Sequence, residues 1–314
     1  MNIFVTGGNG YKGSVLVPKL LEKGYKITSF DSNWFGSYLP NNINLKCIKG
    51  DLRDLSSLSL DGFDSVIHLA NVANDPAVDL NPVMSWEINV LAGQQLIEKA
   101  KLANIKHFIF ASSGSVYGIK NEERVTEDLS LVPISTYNKT KMVAERVFKS
   151  YEPYMKVHLV RPATVCGLSP RMRLDVAVNL LTFQALTKKE INVLGGKQIR
   201  PNIHIDDICD IYIHLIENVD NIDSGFFNAG FENISIKDIA ELIKSKIECN
   251  ILTHASNDPR SYRQDSTKIL STGFRPKKNI SKAIDEIIEC YNNGKLLDRE
   301  EWHTVKWMKS QKIR

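Results

Sequence analysis

Gly7, Gly8, Gly10 and Gly13 crowd into "TGGNGYKG", directly behind the apolar run "NIFVT" (2–6), and no other stretch constrains the fold so strongly. Glycine loses more conformational freedom on folding than any other residue, so a cluster marks backbone that must go where a side chain would block it. The spacing Gly7-x-x-Gly10-x-x-Gly13 follows a predicted strand and opens a helical pattern through Val15, Leu16, Leu20 and Leu21. In such a strand–turn–helix the first glycine makes the tight turn and the second lets backbone approach a pyrophosphate. The third lets helix and strand pack closely. Backbone N–H groups and the positive end of the helix dipole then face the phosphates.

The context gives the triplet its weight. Asp31 closes the second strand, "KITSFD" (26–31), where a carboxylate can accept hydrogen bonds from an adenosine ribose and repel a 2′-phosphate. A turn cap would use the same residue type. No arginine follows in "DSNWFG", so NAD is expected in preference to NADP. Lys12 is unusual at the start of a helix that should pack on a sheet, and either snorkels to solvent or meets a carboxylate.

Further strands are predicted at 45–51, 65–70, 107–113 and 157–163, with helices over about 83–103 and 137–150. Strands alternating with helices mean right-handed crossovers and a parallel sheet covered on both faces. The fold class is therefore α/β, a Rossmann-type doubly wound parallel sheet with a smaller C-terminal α/β lobe. Residues 1–165 are expected to form the dinucleotide-binding domain and 166–314 mainly the substrate-binding lobe, with some segments returning to the sheet. In that second half, short strands at 191–196, 225–230 and 251–255 lie among helices at about 174–188, 206–217, 235–247 and 281–292. A ligand belongs in the cleft beyond the carboxyl ends of the strands.

Two stretches point to chemistry. "FASSGSVYG" (110–118) ends the fifth strand, and "YNKTK" (137–141) opens the next helix, with Tyr137 and Lys141 one turn apart on one face. A tyrosine with its reference pKa near ~10 is a poor base. An adjacent ammonium and a positively charged nicotinamide ring would favour the phenolate. A serine at the strand end could hold the same substrate oxygen. An ordinary amphipathic helix with an exposed lysine would show the same pair; the glycine turn, Asp31 and the serine-rich strand end, all in order, favour the catalytic reading.

Hydrophobic residues at 43% and charged residues at 24% are ordinary soluble usage. A net charge of +4, from 40 basic and 36 acidic residues spread along the chain, is no nucleic-acid footprint. The basic end, "KWMKSQKIR", reads as a solvated tail. Five scattered cysteines without a CxxC pair read as reduced thiols in a cytoplasmic protein. The opening strand leaves no room for a secretory leader, and no apolar run is long enough to span a membrane. No metal site is expected.

The chain resembles the extended short-chain dehydrogenase/reductases, in the NAD-dependent epimerase/dehydratase family that acts on nucleotide sugars. "TGGNGYKG", "GDLRD", "HLA", "NVLAG", "SSGSVYG", "YNKTK", "RPATVCG" and "RPNIHIDD" occur in family order across nearly the whole chain. The resemblance implies that Gly7, Gly10, Tyr11, Lys12, Gly13 and Asp31 bind NAD. It places Asp51 and Leu52 at the adenine and Ala70 along the dinucleotide. It makes Ser113 and Tyr137 catalytic, with Lys141 on the nicotinamide ribose lowering the tyrosine pKa. Asn179, Arg200 and Arg260 would hold the sugar pyrophosphate or nucleotide. "HLANVANDPAVDLNP" and "ATVCGLSPRMRLD" are similar to a bacterial subgroup of surface-polysaccharide pathways, some acting on nucleotide-activated heptoses, which would turn Asn74, Asp75, Arg171 and Arg173 toward the sugar.

Dehydrating relatives carry an Asp-Glu pair after the catalytic Ser/Thr, and 3,5-epimerising relatives a cysteine at the second of those places. Here stand Gly114 and Ser115, neither capable of acid–base work near neutral pH, so Ser115 is left as a substrate contact. The expected activity is a nucleoside-diphosphate-sugar 4-epimerase. A nucleotide-sugar 4-dehydrogenase or ketoreductase is the alternative, and a non-catalytic NAD(H)-binding sensor the remote one. The resemblance also implies a homodimer through the helices at 83–103 and 137–150.

Overall fold

A computed structural model describes residues 1–256 and 261–313; Arg260 lies outside them. In chain order the first half runs β1 (Asn2–Thr6), α1 (Gly13–Glu22), β2 (Lys26–Asp31), β3 (Leu45–Lys49), β4 (Ser65–His68), α2 (Asp75–Val78), α3 (Pro82–Trp86), α4 (Ala92–Leu102), β5 (His107–Ala111), α5 (Thr136–Lys149) and β6 (Lys156–Pro162). The second half runs β7 (Thr164–Cys166), α6 (Ala177–Lys188), β8 (Glu190–Leu194), β9 (Ile199–His204), α7 (Ile205–Glu217), β10 (Gly225–Ala229), β11 (Glu232–Ser235), α8 (Ile236–Lys244), β12 (Asn250–His254), α9 (Thr267–Ser271), α10 (Ile280–Asn292) and α11 (Thr304–Ser310).

Seven strands form one sheet in the order β10-β6-β5-β4-β1-β2-β3. Every neighbouring pair is parallel. The central strands are buried on both faces, and alternate residues supply the two cores. Ile3 and Val5 of β1 pack with Leu16 and Leu20 of α1 and Ile208, Ile211 and Leu215 of α7. Phe4 faces the other way, into a core with Phe108 and Phe110 of β5, Leu96 and Ile97 of α4, and Phe148 of α5. The chain reverses its direction of travel between β1 and β4, which opens a crevice at the carboxyl ends of the strands. The second half adds a three-stranded sheet, β11-β9-β7, and the pair β12-β8. Among the described residues no helix is long and apolar enough to cross a membrane.

Two expectations fail here, each for a local reason. The helix over 83–103 is interrupted by a π turn at Glu87–Leu91. Fully buried Asn89 in that turn accepts from Val72 N at 2.8 Å and donates to Val72 O at 3.0 Å and Thr140 Oγ1 at 3.2 Å, fastening the loop after β4 to α5. Such bulges are single turns set inside α-helices, frequently at functional sites. The supposed solvated tail is the ordered helix α11. Its apolar residues Trp307 and Met308 seat it, with Met308 2% exposed and Trp307 Nε1 donating to Trp34 O at 2.6 Å, while Lys306 and Lys309 stay in water.

Three histidines are buried in the sheet. His68 Nδ1 shares a hydrogen bond with Thr6 Oγ1 at 2.7 Å, and His107 Nε2 meets His158 Nδ1 at 2.8 Å. Burial pushes His68 down to about 3 and His158 to about 4, and takes His107 well below its ordinary value, so the native state holds all three neutral. The unfolded chain protonates them below pH ~6.5, so stability falls with pH from there to about 4, by up to about 1.4 kcal/mol per pH unit for each histidine. Urea midpoints at pH 7, 6 and 5 should show this slope, and a flat profile would contradict it.

Candidate active site

The glycine turn forms as its spacing predicts. Gly7 has φ +75°, and a Cβ there would lie 2.6 Å from Ala70 N on the next strand end. A Cβ on Gly13 would lie 2.2 Å from Gly7 O, so that glycine is what lets α1 start against the turn. A Cβ on Gly10 would meet only Gly7 O, at 3.2 Å, and its other side is the cleft. Asp31 ends β2 beside this turn, accepting from Asn9 N at 2.9 Å and Asn33 N at 2.8 Å. Burial pushes its carboxyl up, and these hydrogen bonds together with the charge of Arg171 pull it back. A carboxylate offers about four acceptor positions, so the backbone leaves room for two hydroxyls. Asp51 and Leu52 line the same end, with Asp51 held by Arg53 at 2.7 Å.

These residues wall one cleft of about 700 Å³, within the range of small-molecule sites. Ser113, Ser115, Tyr137 and Lys141 also line it, together with Asn74, Asp75, Ala70 and Arg200. Ser113 follows β5, where its hydroxyl caps a short 3₁₀ turn at Gly114–Tyr117 and meets Ser115 Oγ at 2.8 Å. Ser135 caps α5, accepting from Asn138 N at 3.2 Å, which puts Tyr137 in the first turn of the helix. Lys141, one turn on, is 2% exposed and donates to Ala111 O at 2.7 Å, with its Nζ 5.9 Å from the Tyr137 ring centre.

Burial pushes the Tyr137 phenol up to about 12, opposed by the Ser113 hydroxyl and the charge of Arg173. The Lys141 ammonium is pushed well below the ordinary lysine range by burial and by nearby Lys12, against the pull of Glu145. Lys12 neither snorkels nor finds a carboxylate: it lines the cleft, donates to Tyr212 OH at 3.4 Å, and is pushed down to about 8 by burial.

The loop after β7 forms the opposite wall and is tied to the glycine turn. Tyr11 OH donates to Gly167 O at 2.8 Å, and Ser169 Oγ donates to Tyr11 O at 2.8 Å. Asn179, expected at a sugar pyrophosphate, stands behind this wall and not on it. Its amide is spent on Gly167 N at 2.9 Å, Tyr11 OH at 3.0 Å and Arg173 O at 3.0 Å, so it shapes the loop. Arg173 forks onto Asp175 at 2.9 and 2.8 Å, and Asn74 Nδ2 joins the same carboxylate at 2.9 Å. Arg171 is 3% exposed, with its guanidinium 4.1 Å above the Phe35 ring. Asn192, Gln198, Tyr262 and Thr304 also reach the cleft. No local motif marks these four, because tertiary folding brings them in from β8, the turn before β9, the segment before α9 and α11.

The residues present fit a dinucleotide: a turn free of side chains, a helix N-terminus, a carboxylate at the second strand and cations along the wall. The sequence profile of the NAD dependent epimerase/dehydratase family matches residues 3–230. A UDP-glucose 4-epimerase from Lactobacillus helveticus is 26% identical, over 92% of this chain and 95% of its own length. The UDP-glucose 4-epimerase of Thermotoga maritima, solved with UDP-glucose, superposes with a TM-score of 0.86 at 26% identity, covering 94% of this chain and 99% of that one. The UDP-glucuronic acid 4-epimerase of Bacillus cereus, solved with UDP-glucuronic acid and NAD, gives 0.80 at 29% identity, covering 93% and 100%. Glycine turn, strand order and these likenesses agree: the chain is an enzyme of the NAD-dependent epimerase/dehydratase family, with NAD as its cofactor.

Proposed function

We propose that the protein is a nucleoside-diphosphate-sugar 4-epimerase. One observation carries this reading: Ser113, Tyr137 and Lys141 converge on the cleft, whereas Gly114 and Ser115 bring no second acid–base pair to it. NAD⁺, when bound, would supply the hydride acceptor and donor for C4 of the sugar. Tyr137 takes the proton of the C4 hydroxyl as the 4-keto sugar forms and gives it back at the end. The Ser113 hydroxyl donates to the same oxygen, and Lys141 would hold the nicotinamide ribose. General acid–base help of this kind supplies ~10²–10⁴-fold. Positioning supplies much of the rest, with Arg200 and Gln198 at the substrate end. The family resemblance gives Arg260, outside the described residues, the same role.

The names of the relatives put UDP-hexoses first in a substrate panel, followed by GDP-, CDP- and dTDP-sugars and a GDP-heptose. Purified protein without added cofactor should yield a C4 epimer by proton NMR, with no net absorbance at the NADH band. A 4-keto product with stoichiometric NADH would instead make it a dehydrogenase.

The same reading includes a homodimer. Val83, Leu91 and Leu102 on the α3–α4 segment are 69%, 58% and 72% exposed, an apolar set that a second copy would cover. Light scattering should give a dimer, and Leu91→Glu with Leu102→Glu should give a monomer. A monomeric parent protein would refute the dimer.

A further inference from the structure

We propose that Arg171 is a phosphate clamp for the dinucleotide, closing on the pyrophosphate from the side opposite the glycine turn and braced there by the C-terminal helix. This goes beyond the epimerase reading and does not depend on which sugar is turned over.

The loop that carries Arg171 is fixed to the turn by contacts between residues far apart in the chain. Besides the Tyr11 contacts, Ser14 Oγ meets Ser169 Oγ at 2.9 Å and accepts from Arg171 N at 3.4 Å. Arg171 therefore starts beside the first turn of α1. Its side chain lies over Phe35 in the loop after β2, and its charge is felt by Asp31. That is the adenosine half of the cleft, away from Arg200 and Gln198.

The guanidinium has more donors than partners. Nη2 donates to Thr304 Oγ1 at 3.1 Å and Nη1 to Met172 O at 3.5 Å, whereas buried Nε has no acceptor. Arg171 forms no ion pair with any described residue, in contrast to Arg173 with Asp175 and Arg161 with Glu145. The charges of Asp31 and Asp175 act on it only from beyond ion-pair range, Asp31 being held by backbone N–H groups and Asp175 by the Arg173 fork. Burying a cation without a close counter-charge is costly, and a chain that keeps one on the wall of a cleft leaves an anion to complete it. The anion that fits is a phosphate pair: an arginine fork donates to phosphate oxygens in two parallel bonds, while the turn offers backbone N–H groups from the other side. A 2′-phosphate fits less well, since it would stand against the Asp31 carboxylate.

The brace comes from α11. Thr304 opens this helix, and Val305 and Met308 pack with Trp34 and Phe35, so the aromatic floor and the hydroxyl that aims Arg171 belong to one cluster. The C-terminal segment thus holds a cofactor-binding side chain that the second lobe supplies.

The test is binding, not turnover. Cofactor-stripped parent protein, Arg171→Gln and Thr304→Val would be titrated calorimetrically with NAD, NADP and UDP, and the melting temperature of each stripped protein recorded. For Arg171→Gln, NAD affinity should fall roughly 10- to 100-fold, as for loss of a charge-assisted hydrogen bond. UDP affinity should stay unchanged, and the stripped protein should melt no lower than the parent, because a neutral amide removes an unpaired buried charge. Thr304→Val should weaken NAD several-fold in the same direction. Parent-like NAD binding by Arg171→Gln would overturn the proposal. A loss confined to UDP would overturn it too, by placing the clamp on the substrate. Arg171-dependent binding of NADP in preference to NAD would place it on a 2′-phosphate. A lower melting point of the stripped variant would make Arg171 a structural residue.

Discussion

Tyr137→Phe should lower turnover by ~10²–10⁴-fold while NAD remains bound. The substitution removes one oxygen from a side chain that already packs with Val72, Met84 and Met308, so the fold should not notice it. What disappears is the only phenol of the Ser113–Tyr137–Lys141 group in reach of a substrate hydroxyl. The same geometry sets the pH dependence. Burial holds the phenol protonated up to about 12 in the protein alone, so the rate should rise with pH through the neutral range. Binding of the positively charged nicotinamide ring lowers that value and brings the rise toward neutrality. Single-turnover rates between pH ~6 and ~9 check this, with NAD content measured on each sample. A Tyr137→Phe enzyme that keeps more than a tenth of the parental rate would remove Tyr137 from the chemistry.

Gly13→Ala and Gly10→Ala should fail in different ways. At Gly13 the new methyl would sit 2.2 Å from Gly7 O and 2.6 Å from Gly8 Cα, both backbone atoms that cannot swing aside. Overpacking of this kind should reach or exceed roughly 3 kcal/mol, lowering the melting temperature of the protein even without cofactor. At Gly10 the nearest atom is 3.2 Å away and the remaining space is the cleft itself. Gly10→Ala should therefore leave the cofactor-free protein nearly as stable as the parent, yet weaken NAD roughly tenfold or more by standing where backbone must approach a phosphate. Calorimetry of the stripped proteins and NAD titration separate the two effects. Equal stability losses in both would mean that Gly10 is kept for packing alone.

The cofactor half of this enzyme is legible because its signals are local. Gly7, Gly10, Gly13 and Asp31 lie within 25 residues and report one strand–turn–helix–strand unit, whose backbone path only glycine permits. Buried parallel strands read as apolar runs, and Tyr137 and Lys141 announce themselves by helical spacing. The other half depends on contacts between distant segments. β9 carries a proline among charged and polar residues in "IRPNIH", so no alternation marks it as a strand. Arg171 and Asn179 are only eight residues apart, and nothing local to either says which of them faces a ligand. One ends on the cleft wall and the other behind it, because Asn179 is drawn to Gly167 and the Tyr11 hydroxyl. Lys12 is legible as an anomaly, but its partner, Tyr212, lies 200 residues away. The C-terminal segment misleads through its charge: its lysines do face water, while Trp307 and Met308 fasten the helix over Trp34 and Phe35.

The central claim is that hydride leaves C4 of a nucleotide-bound sugar and returns to the same carbon. A UDP-hexose deuterated at C4, incubated with the protein as purified and no added cofactor, tests it in one experiment. The account predicts a C4 epimer that keeps its deuterium, with no accumulation of NADH. Deuterium found instead in stoichiometric NADH beside a released 4-keto sugar would contradict it, as would an epimer that had exchanged its label with solvent.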